Sequence, residues 1–466
     1  MTATISRTEI VVTNPANGRE LGRVKLAEAA DVDRAVRAAH AAYLEWREVP
    51  VVERVRKFFK YQVLLEQHLD ELARLVSNEN GKMLADARGE VRRGIECVEF
   101  ACGMPSLLMG DSLEGIARGI DSQTIRQPLG VCVGITPFNF PAMIPGWMFP
   151  IAIAAGNSFI VKPSPQTPLS AVRLFELLSE CGFPSNVLQI VHGEKPAVEA
   201  LIAHDLTKAV SFVGSSPVAR EVQRFAVEHH KRVTALGGAK NYLIVMPDGV
   251  TDATVEGIMG SAFGAAGERC LAGSVVIAVG DAADKLIPLL QTAAGKLKVG
   301  AWDSDGAQMG PVISEQARTR IVGYIDNGLR TSTLVADGRT NVPKEGSFVG
   351  PTIFDRVDAA SPLAREEIFG PVLSIVRVPT LEAAIELANR SAFGNASSIF
   401  TQSGGAAQKF AHSIEAGMIG INVGVAAPMA FFPFGGVKDS IFGDLRMHGK
   451  DGVAFYTQQK VVISRW

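Results

Sequence analysis

Between Arg126 and Lys162 the chain carries no charged side chain. A run of that length is enough to cross a bilayer. It is broken, however, by Gly134, Pro137, Asn139, Pro141, Pro145, Gly146, Pro150 and Asn157. A spanning helix must satisfy its own backbone, which so many breaks prevent. The run is therefore expected to fold as a buried strand, a tight loop and a buried helix. Burying it requires a large core. At 466 residues the chain is too long for one core, so two or three domains are expected.

With 47% hydrophobic and 20% charged residues the chain fits the globular class and not the disordered one. A formal net charge of −2 gives no overall basic surface for nucleic acid or anionic lipid, although local basic pockets stay compatible with it. The opening "MTATISRTEIVVTNPANG" lacks the basic start, apolar stretch and cleavage site of a secretory leader. Cys97, Cys102, Cys132, Cys181 and Cys270 are few, odd in number and mostly in apolar settings. That pattern suits a reducing compartment, and the cytoplasm is the expected location.

Periodicity divides the chain. "AADVDRAVRAAHAAYLEWREV" and "VVERVRKFFKYQVLLEQHLDELARLVSNENG" place apolar residues at helical spacing, so the first hundred residues read as helical. From residue 129 short β-branched runs alternate with helices: "VCVGI", "SFIVK", "VLQIVHG", "KAVSFVG" and "RVTALGG". Thr167-Pro168 and Ser216-Pro217 each offer a cap followed by a first-turn proline. A second alternating series runs from "NYLIVMPDG" through "SVVIAVG" and "PVLSIVRV" to "ASSIFTQ". Such alternation implies an α/β fold with parallel sheets and right-handed crossovers. The change near Gly237-Gly238 marks an expected domain boundary. "SQTIRQPLG" and "AFYTQQKVVISRW" alternate like exposed strands, which invite pairing with another subunit.

Several chemistries lack their motif. There is no G-x-G-x-x-G, no G-x-x-x-x-G-K-[ST] and no G-x-S-x-G. Neither paired C-x-x-C nor H-E-x-x-H occurs, so no metal site is indicated. What remains is a set of short loops. "ITPFNFP" follows an apolar strand and carries Asn139, which either bonds turn backbone or aims a donor at a developing oxyanion. "FIVKPSPQTP" ends a strand with Lys162, and "FVGSSPVA" places Ser215 at a helix start, where free N–H groups can hold a pyrophosphate. In "GAAGERCLAG" Cys270 adjoins Arg269, whose charge would favour a thiolate nucleophile; a buried structural cysteine is the alternative. "REEIFGPV" sets Glu367 beside Phe369, or is simply a solvated acidic loop.

Taken together, "PFNFP", "FIVKPS", "FVGSS", "GERC", "EEIFGPV" and "FPFGGVKDS" resemble the aldehyde dehydrogenase superfamily in order and spacing, over essentially the whole chain. "PFNFPAMIPGWMFPIAIAAGN", "GAKN", "APMAFFPFGG", "FYTQQK" with a terminal "SRW", and "RRGIECVEFACGMPSLLMGDSL" are similar to its CoA-acylating methylmalonate-semialdehyde (malonate-semialdehyde) branch. The resemblance implies two Rossmann-like parallel-sheet domains plus a small β oligomerisation extension. It implies residues 1–119 and 140–237 for the NAD-binding domain, 238–430 for the catalytic domain, and 120–139 with 445–466 for oligomerisation strands of a homodimer or homotetramer.

By position, the resemblance implies Cys270 as nucleophile and Asn139 as oxyanion donor, working with the Cys270 backbone N–H. Lys162 and Glu367 match residues that hold the two riboses of NAD. Ser215 matches a pyrophosphate contact, and Phe369 an aromatic beside the nicotinamide. Thr136, Phe138, Gln166 and Gly237 fall where other cofactor-lining groups occur. Arg269 and Arg93, or Arg92 if the register shifts by one, match arginines that hold the substrate carboxylate.

Three departures qualify the likeness. Ala235 stands where most of the superfamily has a water-activating glutamate, and alanine cannot be a general base. The acyl group would then await a CoA thiol. Pro165 replaces a ribose-binding glutamate, which leaves NADP open beside NAD, and Ala219 replaces a common glycine. Two further readings stay open: an NAD(P)-dependent dehydrogenase that recruits water through Glu268 or Glu367, and a catalytically silent relative.

Overall fold

A computed structural model of the chain describes residues 8–466. The reading against a leader draws in part on residues 1–7, which lie outside that range. The described chain opens on an antiparallel hairpin, β1 (Glu9–Thr13) and β2 (Glu20–Lys25), which the helical reading of this region missed. Only Ile10, Val12 and Val24 turn inward from it, too few for a visible alternation. Four helices follow: α1 (Ala29–Trp46), α2 (Val51–Gln67), α3 (Leu69–Asn80) and α4 (Leu84–Cys102). Strands β3 (Ser112–Ala117) and β4 (Ile120–Pro128) come next.

The uncharged run folds as the expected strand, loop and helix, although Gly146 and Pro150 lie inside the helix and do not break it. β5 (Val131–Ile135) is wholly buried, residues 136–142 form a loop, and α5 (Met143–Ala154) is buried from Ile144 to Ala154. Pro145 falls in the first turn of α5, where no intrahelical donor is needed. No described helix is long and apolar enough to cross a membrane. A Cβ on Gly146 would lie 3.3 Å from the Gly94 Cα, so α4 and α5 cross with no side chain between them.

The first alternating series continues through β6 (Ser158–Lys162), α6 (Leu169–Ser179), β7 (Leu188–Ile190), α7 (Lys195–Ala203), β8 (Thr207–Val213), α8 (Ser216–Glu228) and β9 (Arg232–Leu236). The expected caps, Thr167 and Ser216, are each displaced by one residue, the first later and the second earlier in the chain. Pro168 and Ser215 are the N-cap residues, and neither makes a side-chain cap. The Thr167 hydroxyl instead donates to the Phe138 carbonyl, and that of Ser216 to the Asp439 carbonyl. Tertiary partners outbid the local cap.

The second series comprises β10 (Asn241–Val245), α9 (Asp252–Phe263), β11 (Gly273–Val279), β12 (Thr333–Ala336), β13 (Thr352–Asp355), β14 (Val372–Val378), β15 (Ala396–Phe400) and β16 (Met418–Ile421). The short β17 (Ile441–Phe442) and the long β18 (Thr457–Arg465) close the chain.

Two sheets dominate. One has the order β17-β9-β8-β5-β6-β7, parallel apart from β17; the other runs β12-β13-β14-β11-β10-β15-β16, parallel apart from β12. The chain passes from the first to the second between Leu236 and Asn241. A third, antiparallel sheet has the order β18-β4-β3. The two strands expected to seek a partner subunit therefore pair first with each other, from Ile120 opposite Arg465 to Pro128 opposite Thr457. The segment 120–139, expected as one oligomerisation strand, divides at Gly130: β4 joins this small sheet, whereas apolar β5 enters the middle of the six-stranded one.

Candidate active site

Cys270 follows α9 through a tight reversal. Ala265, Ala266 and Gly267 have φ of 50°, 52° and 73°, three successive residues in the left-handed region. For alanine that conformation costs about 1–2 kcal/mol per residue, so it is held by its surroundings. The Asp86 carboxylate accepts the Ala265 N–H at 3.3 Å, and a side chain on Gly267 would overlap the Gly370 carbonyl. Beyond the turn, the Cys270 carbonyl accepts two side-chain amides, from Asn241 and Asn395, each at 2.8 Å. Asn241 also donates to the Ala272 carbonyl at 2.9 Å.

The thiol opens into a cleft of about 440 Å³ whose wall includes Arg92, Arg93, Arg269, Trp147 and Phe434. Asp86, Glu90, Arg93 and Cys97 of α4 line it at three- and four-residue spacing, one face of one helix. Both expected carboxylate ligands, and the runner-up, thus share a cleft with the sulfur. Their surroundings differ. Arg92 is engaged by Glu99 at 2.7 Å and by Glu66. Arg93 pairs with Glu96 at 2.7 Å and donates to the Ala427 and Pro428 carbonyls across the cleft. Arg269 donates to the Gly260 carbonyl, and its Nε is buried without a partner.

The expectation that Arg269 would ionise Cys270 needs correction. Burial, helped by the Glu367 charge, pushes the thiol up to about 12; Arg269 and the N–H groups of Cys270 and Leu271 pull the other way without prevailing. In the ligand-free chain these surroundings favour the thiol over the thiolate. Asn139 is buried at the strand-end loop, its amide donating to the Glu268 carbonyl at 3.0 Å. Glu268 turns its carboxylate away, to the Ile313 N–H at 3.1 Å. Burial pushes that carboxyl up to about 8. Ala235 is fully buried in β9, between Phe212 of β8 and Phe442 of β17, and no carboxylate stands at its position.

A second cleft, of about 560 Å³, lies over the ends of β5, β6 and β8, where α/β sheets take ligands. Thr136, Lys162 and Ser215 line it. The Thr136 hydroxyl is buried there without a partner, as a group awaiting a ligand would be. Lys162 bonds the Pro163 carbonyl at 2.9 Å and the Gly193 carbonyl at 3.4 Å, and burial brings it down to about 8. Glu367 accepts the Ala239 N–H at 2.8 Å, and burial pushes it up to about 7. Phe138 and Phe369 meet edge to face at 5.8 Å, Phe369 in the left-handed region at φ 51°. Phe138, Glu367 and Phe369 do not line this cleft, and neither do Gln166 and Gly237. Gln166 is exposed on the loop after Ser164, its N–H on the Ser164 hydroxyl. Gly237 is packed where a Cβ would meet the Asp439 carbonyl at 2.6 Å.

Sequence reasoning passed over Asn241, Asn395, Lys82 and Glu90. The polar Glu79-Asn80-Gly81-Lys82 at the end of an amphipathic helix was the available signal for Lys82. Glu79 accepts the Leu169 and Ser170 N–H groups, and Asn80 donates to the Phe138 carbonyl at 3.1 Å.

Comparison with known proteins shows the family. The model of the aldehyde dehydrogenase family matches residues 2–462. A malonate-semialdehyde dehydrogenase of Geobacillus thermodenitrificans is 53% identical, across 99% of this chain and 96% of that protein. The crystal structure of a methylmalonate-semialdehyde dehydrogenase from Oceanimonas doudoroffii superposes with a TM-score of 0.97 at 47% identity, covering 100% of this chain and 96% of that one. A structure from Sinorhizobium meliloti 1021 assigned as the same enzyme, complexed with NAD, gives a TM-score of 0.97 at 43% identity, with the same coverage of both chains. The chain belongs to the aldehyde dehydrogenase family.

Proposed function

We propose that the chain oxidises malonate semialdehyde or its 2-methyl homologue with NAD and hands the acyl group, after decarboxylation, to coenzyme A. The products are acetyl-CoA or propionyl-CoA. One observation carries this reading: a single cleft presents the Cys270 thiol together with the guanidinium groups of Arg269 and Arg93. An aldehyde that also bears a carboxylate suits such a cleft, because a planar cation pairs bidentately with that group. Arg93 faces one carboxylate and Arg92 two, so more positive charge is left at Arg93 for this task.

Cys270 gives up its proton to solvent as its sulfur attacks the aldehyde carbon, a step that Arg269 and the N–H groups of Cys270 and Leu271 favour. Asn139 and the Cys270 N–H receive the oxyanion. A nicotinamide dinucleotide, when bound, accepts the hydride. Lys162, Ser215 and Thr136 would hold it, with Glu367 and Phe369 toward the reacting end. The thioacyl group on Cys270 then meets no carboxylate at position 235, and Glu268 is spent on Ile313, so a CoA thiol takes it. In this reading the six-stranded sheet serves the dinucleotide and the seven-stranded sheet the nucleophile. The exposed Leu113, Val461 and Ile463 of the three-stranded sheet support a homo-oligomer, and five free cysteines suit the cytoplasm.

The test is NADH or NADPH formation from each semialdehyde, with and without CoA, and products identified by mass. Acyl-CoA and carbon dioxide are expected. A free dicarboxylic acid formed at a rate indifferent to CoA would overturn the proposal.

A further inference from the structure

Lys82, just past α3, and Glu90, in α4, form an ion pair at 2.6 Å whose side chains are 1% and 0% exposed. The Lys82 ammonium also donates to the main-chain carbonyl of Asn139 at 2.6 Å and sits 4.2 Å from the Phe140 ring centroid. An ammonium has three N–H groups, and these three neighbours occupy them. Lys82 therefore has nothing left for a ligand, although it lines the cleft. The second oxygen of Glu90 accepts the N–H groups of Ala142 at 2.8 Å and Met143 at 3.2 Å. The pair thus grips both ends of the short segment 139–143.

Stability alone is a poor reason for such a pair, since desolvation offsets its attraction and apolar residues fill a core equally well. Geometry is a better one. The Asn139 amide spends one N–H on the Glu268 carbonyl, so a single N–H remains for a developing charge. Where that N–H points depends on where the backbone of residue 139 is held, and Lys82 holds it.

We propose that the Lys82–Glu90 pair is the positioning device for the oxyanion donor, fixing Asn139 relative to Cys270. This inference rests on the reading of Asn139 as that donor.

A double-mutant cycle on the full-length enzyme tests it, with semialdehyde turnover, NAD binding and iodoacetamide alkylation of Cys270 as readouts. Lys82→Met keeps the apolar stem and removes the donor. It is expected to lower kcat about thirtyfold, within the range for misplacement by an ångström. KM and NAD affinity should stay within about threefold, and Cys270 should alkylate at its normal rate, because the thiol is untouched. Asn139→Ala alone should cost about a hundredfold. Adding Lys82→Met to it should then cost no more than about twofold, since the group being positioned is gone. Losses that multiply, a Lys82→Met enzyme within about threefold of wild type, or alkylation falling in step with kcat would overturn the inference. If Asn139→Ala retains full activity, the oxyanion reading itself falls, a different result. Should Lys82→Met fail to fold, Glu90→Gln keeps the shape and takes its place under the same outcomes.

Discussion

The side-chain amide of Asn241 donates to the main-chain carbonyl of Cys270 at 2.8 Å, so the first residue of a central strand holds the nucleophile by its backbone. Asn395 repeats the contact on the same oxygen. We expect Asn241→Ala to remove one of the two side-chain donors to the Cys270 carbonyl and the side-chain donor to the Ala272 carbonyl, at a cost of about 1–3 kcal/mol. Thermal unfolding should show that loss. Turnover should fall about tenfold, given how steeply catalysis depends on placement. Full activity at a lowered melting temperature would mean the clamp serves folding alone.

Arg269→Gln should separate recognition from chemistry. With a semialdehyde carrying a carboxylate we expect KM to rise at least about tenfold, the scale of one lost charge-assisted pair. With propanal, which has no carboxylate, kcat/KM should change little. Arg93→Gln should behave alike, and Arg92→Gln should not. Equal losses on both aldehydes would assign Arg269 to holding the Cys270 loop instead.

The buried thiol has a kinetic consequence. Because burial raises Cys270 to about 12, the ligand-free enzyme should alkylate with iodoacetamide at a rate that climbs tenfold per pH unit, with no plateau up to about pH 10. Cys270→Ala supplies the background from the other cysteines. A plateau near pH 7 would show an ionised sulfur before any ligand arrives.

Glu268 makes stability depend on pH. Its carboxyl is raised by burial to about 8, from an unfolded value near 4.3, so between those limits the native state binds the extra proton. Stability from this group is thus present below about pH 4 and declines as pH rises toward 8. Glu268→Gln removes the titration and keeps an acceptor for the Ile313 N–H. Its melting temperature should exceed that of wild type at pH 8, with the gap closing toward pH 5. A gap that widens on acidification would show the carboxylate to be stabilising.

Much of this is legible in the sequence, and the rest is hidden for physical reasons. Val131–Ile135 and Ser158–Lys162 are short, apolar and bounded by breaks, so their burial in parallel strands followed from composition. Cys270, Asn139 and Lys162 could be picked out because each stands at a strand or helix end. Lys82 and Glu90 could not, since the backbone groups they hold at Asn139 and Ala142 lie 57 and 52 positions away. The state of Cys270 is hidden for a related reason. One neighbouring charge is visible in a sequence, whereas depth is a property of the whole fold.

The crossing of Gly94 over Gly146 ties two tasks together. One helix bears the arginine that would choose the substrate; the other is led in by the loop bearing Asn139. With backbone resting on backbone, neither can tilt alone. Descendants of this enzyme that turn to new aldehydes should therefore exchange side chains along α4 while leaving its axis in place.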